Sequence, residues 1–185
     1  MHHALREVGD YPGQVMETRD CPHVLIIGIG NESRGDDALG LHVARTLAGM
    51  DISGIEVVER DGEGTSLIET WRGHDCVLLI DAFSSGSAPG MVHSVDATIT
   101  QIHSEQFRSS SHTFGVAQAI ELSRRLNLLP SRLFIYGVEG KSFKIGADIS
   151  RPVRDRIPGL VETIVLQISE LHLELLHHLH RREIY

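Results

Sequence analysis

Apolar positions follow two different spacings along the chain. Runs of consecutive apolar residues are typical of strands buried on both faces of a sheet, whereas apolar residues spaced three or four apart favour an amphipathic helix. The runs predict strands over residues 24–29, 54–59, 76–80, 90–95 and 132–138. The periodic stretches predict helices over residues 36–50, 66–71 and 112–126, and a last helical stretch after residue 150. Strands and helices therefore alternate along the chain.

The last helical stretch carries clear boundary signals. Ser150 is predicted to be its N-cap, because a serine oxygen at that position accepts a hydrogen bond from the first helical turn. Pro152 follows within that turn, where the N–H that proline lacks has no helical partner. Pro158 and Gly159 predict a kink or a break further along.

Strands that alternate with crossover helices form a mostly parallel sheet covered by helices on both faces. We therefore expect an α/β fold, a three-layer α/β/α sandwich. With 185 residues the chain is long enough for one substantial core. Residues 1–21 mix charged residues with Tyr11, Pro12 and Gly13 and are predicted to be a loosely ordered extension, so residues 22–185 are predicted to form a single domain.

The charge balance narrows the classes of partner. The chain has 17 Lys and Arg against 25 Asp and Glu, a formal net charge of −8, and no long basic stripe. Nucleic acids and anionic membranes require clustered positive charge, so we expect neither as a partner. Cys21 and Cys76 have no paired spacing, which argues against a disulfide framework and a zinc knuckle. Because no signal sequence or membrane-spanning run is present, we expect a cytoplasmic protein.

The first strand leads into a glycine turn that differs from a dinucleotide-binding loop. Gly28 and Gly30 fit the start of the G-x-G-x-x-G pattern, but the third glycine would fall at Ser33. The turn is instead followed by Asp36 and Asp37 at a predicted helix start. Paired carboxylates there would repel a pyrophosphate, but are well placed to receive a cation or to transfer a proton. The turn therefore predicts a carboxylate site.

Acidic residues follow three predicted strands, and parallel topology places them at one edge of the sheet. Asp37 comes after the first strand, Asp61 after the second, and Asp81 directly after the third. Asp37 alone could be a first-turn acid that favours the helix dipole, and Asp61 could be a turn residue. His112 opens the next long helix and reaches the same edge if the loop before it folds back. Two carboxylates and an imidazole suit nickel or zinc and leave coordination positions open.

Three separated motifs give the chain a resemblance to the hydrogenase maturation proteases. The motifs are Gly28-Ile29-Gly30-Asn31 with Gly35-Asp36-Asp37 and Gly40, then Leu78-Leu79-Ile80-Asp81-Ala82, then Ser110-Ser111-His112-Thr113-Phe114-Gly115. The later segment Tyr136-Gly137-Val138-Glu139-Gly140, with Gly146 and Ser150, is similar to the same family. The resemblance implies a phosphorylase/hydrolase-like sandwich. It also implies an endopeptidase that trims the C-terminal tail of a nickel-iron hydrogenase large-subunit precursor.

The resemblance also implies roles for individual residues. Asp37, Asp81 and His112 would be the catalytic and metal-binding residues, and the metal would be nickel supplied by the precursor, with zinc or cadmium as substitutes. Two mechanisms fit these residues: an aspartic type, in which a carboxylate acts as general base, and a metal-assisted type, in which the ion polarises the scissile carbonyl. No G-x-S-x-G, no H-E-x-x-H and no active-site cysteine context is present, so other peptidase classes lack support.

Two departures from the family pattern and two other functions stay open at this point. Ala38 stands where the family often has glycine, and Glu32 adds a carboxylate that could compete for the metal. A peptidyl-tRNA hydrolase-like enzyme shares the strand followed by Gly-x-Gly-Asn, but would need a basic face. A non-catalytic, metal-dependent maturation chaperone would use the same three residues for docking. The C-terminal histidines, His172, His177, His178 and His180, are expected to be solvated rather than a second metal site.

Overall fold

The computed structural model describes residues 23–102 and 115–182, with side chains as far as residue 174. Five strands are present in this part of the chain: β1 (Val24–Ile29), β2 (Ile55–Arg60), β3 (Cys76–Phe83), β4 (Val92–Asp96) and β5 (Arg132–Glu139). The helices there are α1 (Leu39–Ala48), α2 (Gly64–Trp71), α3 (Val116–Arg125), α4 (Arg151–Arg154) and α5 (Ile157–Arg182). The predicted extension, residues 1–21, lies outside the described residues.

The strands form one sheet in the order β2-β1-β3-β5-β4. All neighbouring pairs are parallel except β4 with β5, which is antiparallel. This confirms the mostly parallel sheet. Strand order reverses between β1 and β3, because the chain passes from β1 to β2 on one side and then returns to place β3 on the other. Ligand sites in such sheets form at this reversal, beyond the carboxyl ends of the strands.

Helices cover both faces of the sheet, which confirms the three-layer sandwich. Successive residues of a strand point to opposite faces, so the consecutive apolar residues of β1 and β3 contribute to two cores. On one face Leu78 and Ile80 pack with α1 and α5. On the other, Val77 and Leu79 pack with α2 and α3. Every residue of β1 and β3 is buried, as the apolar runs predicted.

The predicted strand boundaries need one correction that concerns the site. β3 was predicted to end at residue 80, with Asp81 directly after it. In the structure β3 continues to Phe83, and Asp81 is a strand residue in register with Gly137 of β5. The ladder hydrogen bonds with β5 extend the strand past the last residue of the apolar run.

The helix boundaries also differ from the prediction. The helix expected over residues 112–126 is α3, which begins at Val116 with Gly115 as its N-cap, so the prediction that it starts at residue 112 is wrong. Two further differences lie elsewhere. The helix expected from residue 36 begins with a separate 3-10 turn, Gly35–Ala38, before α1. The break expected at Pro158 and Gly159 falls before them, between α4 and α5, and Pro158 lies in the first turn of α5. Proline is tolerated there because the first-turn N–H groups have no helical acceptor. None of the helices in the described residues is long and apolar enough to cross a membrane.

Candidate active site at the carboxyl edge of the sheet

Four carboxylates are buried in the described part of the chain, and all of them lie at the carboxyl edge of the sheet. Asp36 is 0% exposed, Asp37 7%, Asp81 3% and Glu139 2%. A buried carboxylate is costly unless hydrogen bonds or cations satisfy its oxygens. The partners of Asp36 and Glu139 show that these two acids hold loops of the fold in place.

Asp36 holds the loop that follows β5. Its carboxylate accepts hydrogen bonds from the backbone N–H groups of Lys141 (2.6 Å), Ser142 (2.8 Å) and Ser150 (2.6 Å). The Ser150 hydroxyl donates a further bond at 2.9 Å. Ser150 does precede α4, as predicted, but its side chain makes no capping bond there. The hydroxyl, whose oxygen would accept an N–H in a side-chain cap, instead donates its own hydrogen to the Asp36 carboxylate.

Glu139, the last residue of β5, holds the loop after β3. Its carboxylate accepts hydrogen bonds from the N–H groups of Ser85 (3.0 and 3.1 Å to its two oxygens) and Gly86 (2.9 Å). The Ser85 hydroxyl donates a bond at 2.8 Å. No role is predicted for Glu139 from the sequence. An acid at the end of a buried strand, the signal already used for Asp81, was present at Glu139 as well.

Asp37 is positioned by the close approach of the 3-10 turn to the strand ends. A Cβ at Gly30 would overlap the Asp37 carbonyl, and Gly30 has a φ of 150°. A Cβ at Gly40 would overlap the carbonyl oxygens of Ile29 and Ile80, the ends of β1 and β3. The two glycines therefore allow the turn that carries Asp37 to lie directly over the point where strand order reverses.

Asp81 reaches the same place from β3. It follows Ile80, which is level with Gly28 in the register between β3 and β1. The 3-10 turn that contains Asp37 also contacts β3. Alternation along β3 places Asp81 on the face of Val77 and Leu79, which is the face covered by α2 and α3. Asp37 and Asp81 thus lie at neighbouring strand ends, as the topology predicted.

The third predicted site residue, His112, lies outside the described residues, and its convergence with the two aspartates stays a prediction. No group of three or more His, Cys, Asp or Glu side chains that could hold a metal ion occurs among the residues that the structure describes. Two carboxylates with one imidazole would supply oxygen and nitrogen donors that suit a divalent transition metal.

Two other acids named in the sequence analysis, Glu32 and Asp61, have hydrogen-bond partners of their own. Glu32 is 65% exposed and its carboxylate accepts hydrogen bonds from the Arg45 guanidinium at 2.9 and 3.3 Å. The hydrogen bond and charge of Arg45 lower the pKa of Glu32, so this carboxylate is the ionised partner of Arg45. Asp61 is exposed and accepts a bond from the Glu63 N–H at 3.0 Å, which fits the turn role.

Cys76 is the cysteine that the structure describes, and its environment makes it unreactive. It is fully buried at the start of β3, at the edge of the sheet opposite the aspartates. Burial raises the pKa of its thiol to about 12, so the nucleophilic thiolate is scarce at neutral pH. This agrees with the absence of a cysteine-protease motif.

Replacement of Glu139 tests the anchoring role. Glu139→Gln is expected to destabilise the fold by roughly 2–3 kcal/mol, because the new amide group faces backbone donors and the charge-assisted bonds to Ser85 and Gly86 are lost. Urea unfolding of the variant beside the wild type would measure the loss. Glu162→Gln, an exposed acid on α5, is the matched control and should stay within about 0.5 kcal/mol. Equal stabilities of the two variants would show that Glu139 is not an anchor.

Comparisons with known proteins identify related sequences. A model of the hydrogenase maturation protease family matches residues 41–167, a range that contains Asp81 and His112 and begins four residues after Asp37. The hydrogenase expression/formation protein HupD of Rhizobium leguminosarum is 24% identical over 148 residues, covering 78% of this chain and 73% of that protein. The hydrogenase 2 maturation protease of Escherichia coli is 23% identical over 155 residues, covering 82% and 93%.

Solved structures share the fold. The hydrogenase maturating endopeptidase HybD from E. coli superposes with a TM-score of 0.66 at 20% identity, covering 80% of this chain and 93% of that one. The maturation protease HycI from Thermococcus kodakarensis gives a TM-score of 0.60 at 23% identity, covering 80% and 94%. These likenesses support the three-layer arrangement of the sheet and its helices.

Proposed function

The chain belongs to the hydrogenase maturation protease family, whose members are endopeptidases, and we propose that it removes the C-terminal tail of the large-subunit precursor of a nickel-iron hydrogenase. The observation that carries the proposal is the pair Asp37 and Asp81, buried at the strand ends where the sheet order reverses. The other two buried acids of this edge are bound to loop backbones. Family membership decides against the peptidyl-tRNA hydrolase-like alternative.

Nickel enters this proposal as part of the substrate. Asp37, Asp81 and His112 would bind the ion that the precursor already carries, and zinc or cadmium would substitute for it. Two buried carboxylates support this role, because carboxylate oxygens bind divalent ions and burial strengthens that electrostatic attraction. The ion's remaining positions would be filled by the precursor's own ligands, which would fix the scissile bond beside the aspartates.

Hydrolysis then requires a water molecule and a proton carrier. Water attacks the scissile carbonyl carbon, and its proton passes to one carboxylate, Asp37 or Asp81, acting as general base. The C–N bond breaks as the same proton is delivered to the leaving amine, so that a carboxyl group and an amine are released. In the metal-assisted form of the reaction, the ion polarises the carbonyl oxygen during the attack. Both forms use the same two aspartates.

Nickel-loaded precursor should be cleaved by the wild-type protein, whereas metal-free precursor and generic peptides should not. The reason is that neither of the latter supplies the ion that holds the scissile carbonyl in place. His112→Ala is expected to slow cleavage of the loaded precursor roughly 10- to 100-fold. The measurement is a time course on gels for both precursor forms, with melting temperatures of both proteins recorded in parallel.

The possible outcomes distinguish the protease hypothesis from the maturation-chaperone hypothesis and test the roles of the metal and His112. Equal cleavage of the two precursor forms would contradict recognition of the substrate's metal. An unchanged rate in the His112→Ala variant would remove this histidine from the site. If the wild-type protein binds the nickel-loaded precursor but never cuts it, the maturation chaperone is the correct function and the protease proposal is wrong.

A further inference from the structure

We propose that residues 140–150, the rim loop between β5 and α4, form the docking surface for the precursor, and that their partner is a precursor segment with acidic residues next to an apolar side chain. This inference rests on the proposed function and adds to it the surface and the chemistry of the segment that binds there. Its basis is the position of the loop, the way its backbone is held, and the charge and exposure of its side chains.

The rim loop is hydrogen-bonded to the two segments that carry the aspartates, the end of β3 and the turn after β1. At one end the Gly140 N–H donates a hydrogen bond of 2.8 Å to the carbonyl of Phe83, two residues after Asp81. Further along, the Gly146 N–H donates a 2.7 Å bond to the Ser33 carbonyl, in the turn that precedes Asp37. A precursor with its scissile bond at the aspartates would therefore pass over or beside this loop.

The loop backbone is held in one conformation before any partner arrives. Asp36, which is fully buried, accepts hydrogen bonds from N–H groups at both ends of the loop, those of Lys141 and Ser150. The Asp36 N–H in turn donates to the Ser142 carbonyl at 2.9 Å. A surface ordered in advance loses less conformational entropy on binding than a mobile one. The rim loop therefore combines an exposed location with a fixed backbone.

The charge of the rim loop is opposite to that of the whole chain. Lys141 and Lys144 are the only lysines in the sequence, and Asp148 is the only acid in residues 140–150. The loop therefore has a net charge of +1, whereas the whole chain has a net charge of −8. Both lysines are exposed, and neither forms an ion pair in the part of the chain that the structure describes. Unpaired cations at the rim favour an acidic partner segment and repel a basic one.

Ile145 supplies an apolar contact between these charges. It is 84% exposed, directly after Lys144. Single exposed apolar residues are common on protein surfaces, so exposure alone does not indicate a binding site. Ile145 is distinguished by its neighbour Gly146, whose N–H is bonded to the Ser33 carbonyl in the turn that leads to Asp37. Burial of this side chain by the precursor would add binding free energy that the lysines alone do not provide.

Charge reversal of the two lysines and truncation of Ile145 test the docking surface. Steady-state cleavage of nickel-loaded precursor should show KM raised about tenfold by Lys141→Glu combined with Lys144→Glu, and about fivefold by Ile145→Ser, with kcat within about twofold of wild type. The effect of the lysine variant should shrink as salt is added, because these charges are exposed. Binding of the same precursor to immobilised protein is measured beside cleavage.

The chain offers a matched control for each change at the opposite edge of the sheet. Arg72 is exposed at the end of α2, and Ile99 is 84% exposed after β4, the same exposure as Ile145. Arg72→Glu and Ile99→Ser should leave KM and affinity within about twofold of wild type. If the rim variants behave like these controls, the docking surface is wrong, and the proposed function stands. If charge reversal tightens binding, the acidic partner segment is wrong.

Failure of the proposed function has a different signature. A wild-type protein that binds the precursor without cleaving it contradicts the protease reaction, while the affinities of the rim variants still decide the docking surface. A wild-type protein that neither binds nor cleaves the precursor contradicts both. Melting temperatures of all four variants are expected to stay close to wild type, since each changed side chain is on the surface.

Discussion

Asp81→Asn should abolish nearly all precursor cleavage while the protein stays folded. We expect a loss of roughly a hundredfold to ten-thousandfold in rate, because a general base or metal ligand contributes about that much to a hydrolytic step. The amide has the shape of the carboxylate but neither its charge nor its basicity. Initial rates with nickel-loaded precursor, wild type beside variant, would measure the effect.

Stability of the same variant is measured beside its rate, because Asp81 is only 3% exposed and has interactions of its own. We expect Asp81→Asn to stay folded, since the amide keeps the shape of the carboxylate, and to lose far more rate than any change in its melting temperature explains. Glu139→Gln should differ by a clear loss of stability.

Asp61→Asn is the matched control for Asp81→Asn. Both acids stand at the carboxyl end of a strand, but Asp61 is exposed and its oxygen accepts a bond from the Glu63 N–H that an asparagine oxygen also accepts. This variant should retain wild-type cleavage within about twofold. Comparable rates for Asp61→Asn and Asp81→Asn would mean that Asp81 takes no part in the reaction.

The strands and the layers were predictable because they depend on local patterns. Consecutive apolar residues in β1 and β3 required burial on both faces, and the alternation of strands with helices required parallel crossovers. The edge at which Asp37 and Asp81 meet follows from that topology alone. The end of β3 was misplaced because its last residues pair with β5, and the run of apolar letters does not report that pairing.

The roles of the anchoring acids could not be predicted, because their partners are distant in sequence. Asp36 binds Lys141, 105 residues further along, and Glu139 binds Ser85, 54 residues earlier. The local sequence does not distinguish Asp36, which anchors a loop, from Asp37, the predicted site residue. Ser150 is the N-cap residue of α4, as predicted, but the partner of its hydroxyl could not be predicted, for the same reason. A serine before a helix predicts a cap, but here a buried carboxylate that the local sequence does not contain accepts its hydrogen bond.

Gly30, in the turn after β1, and Gly40, in α1, have a structural role that the comparison with dinucleotide-binding loops does not predict. Gly30 and Gly40 are needed where the backbone of one element touches the backbone of another, not where a phosphate binds. A Cβ added at Gly40 would lie 2.7 Å from the Ile29 nitrogen and still closer to the carbonyl oxygens of Ile29 and Ile80. Backbone atoms of two central strands cannot move aside for a methyl group as a flexible side chain would.

Gly40→Ala is therefore expected to destabilise the fold by about 3 kcal/mol or more, which is a large effect for one added methyl group. For a chain of this length such a loss lowers the melting temperature by roughly 6–12 °C. The variant should also cleave precursor slowly at temperatures where it is folded, because α1 must withdraw from β1 and β3 and carry the Asp37 turn with it. Thermal unfolding and initial rates measured on the same preparation would show both effects.

Gly159→Ala is the matched control, since it makes the same chemical change in another helix. Nothing lies within 4 Å of a Cβ at Gly159 in α5, so the added methyl group meets open space. There the substitution should raise stability by about 0.5–1 kcal/mol, the ordinary gain from replacing glycine by alanine in a helix. Destabilisation by Gly40→Ala no larger than the effect of Gly159→Ala would show that α1 does not rely on close backbone contact to position Asp37. Opposite signs for the two variants would establish that the contact, rather than helix propensity, decides the residue at position 40.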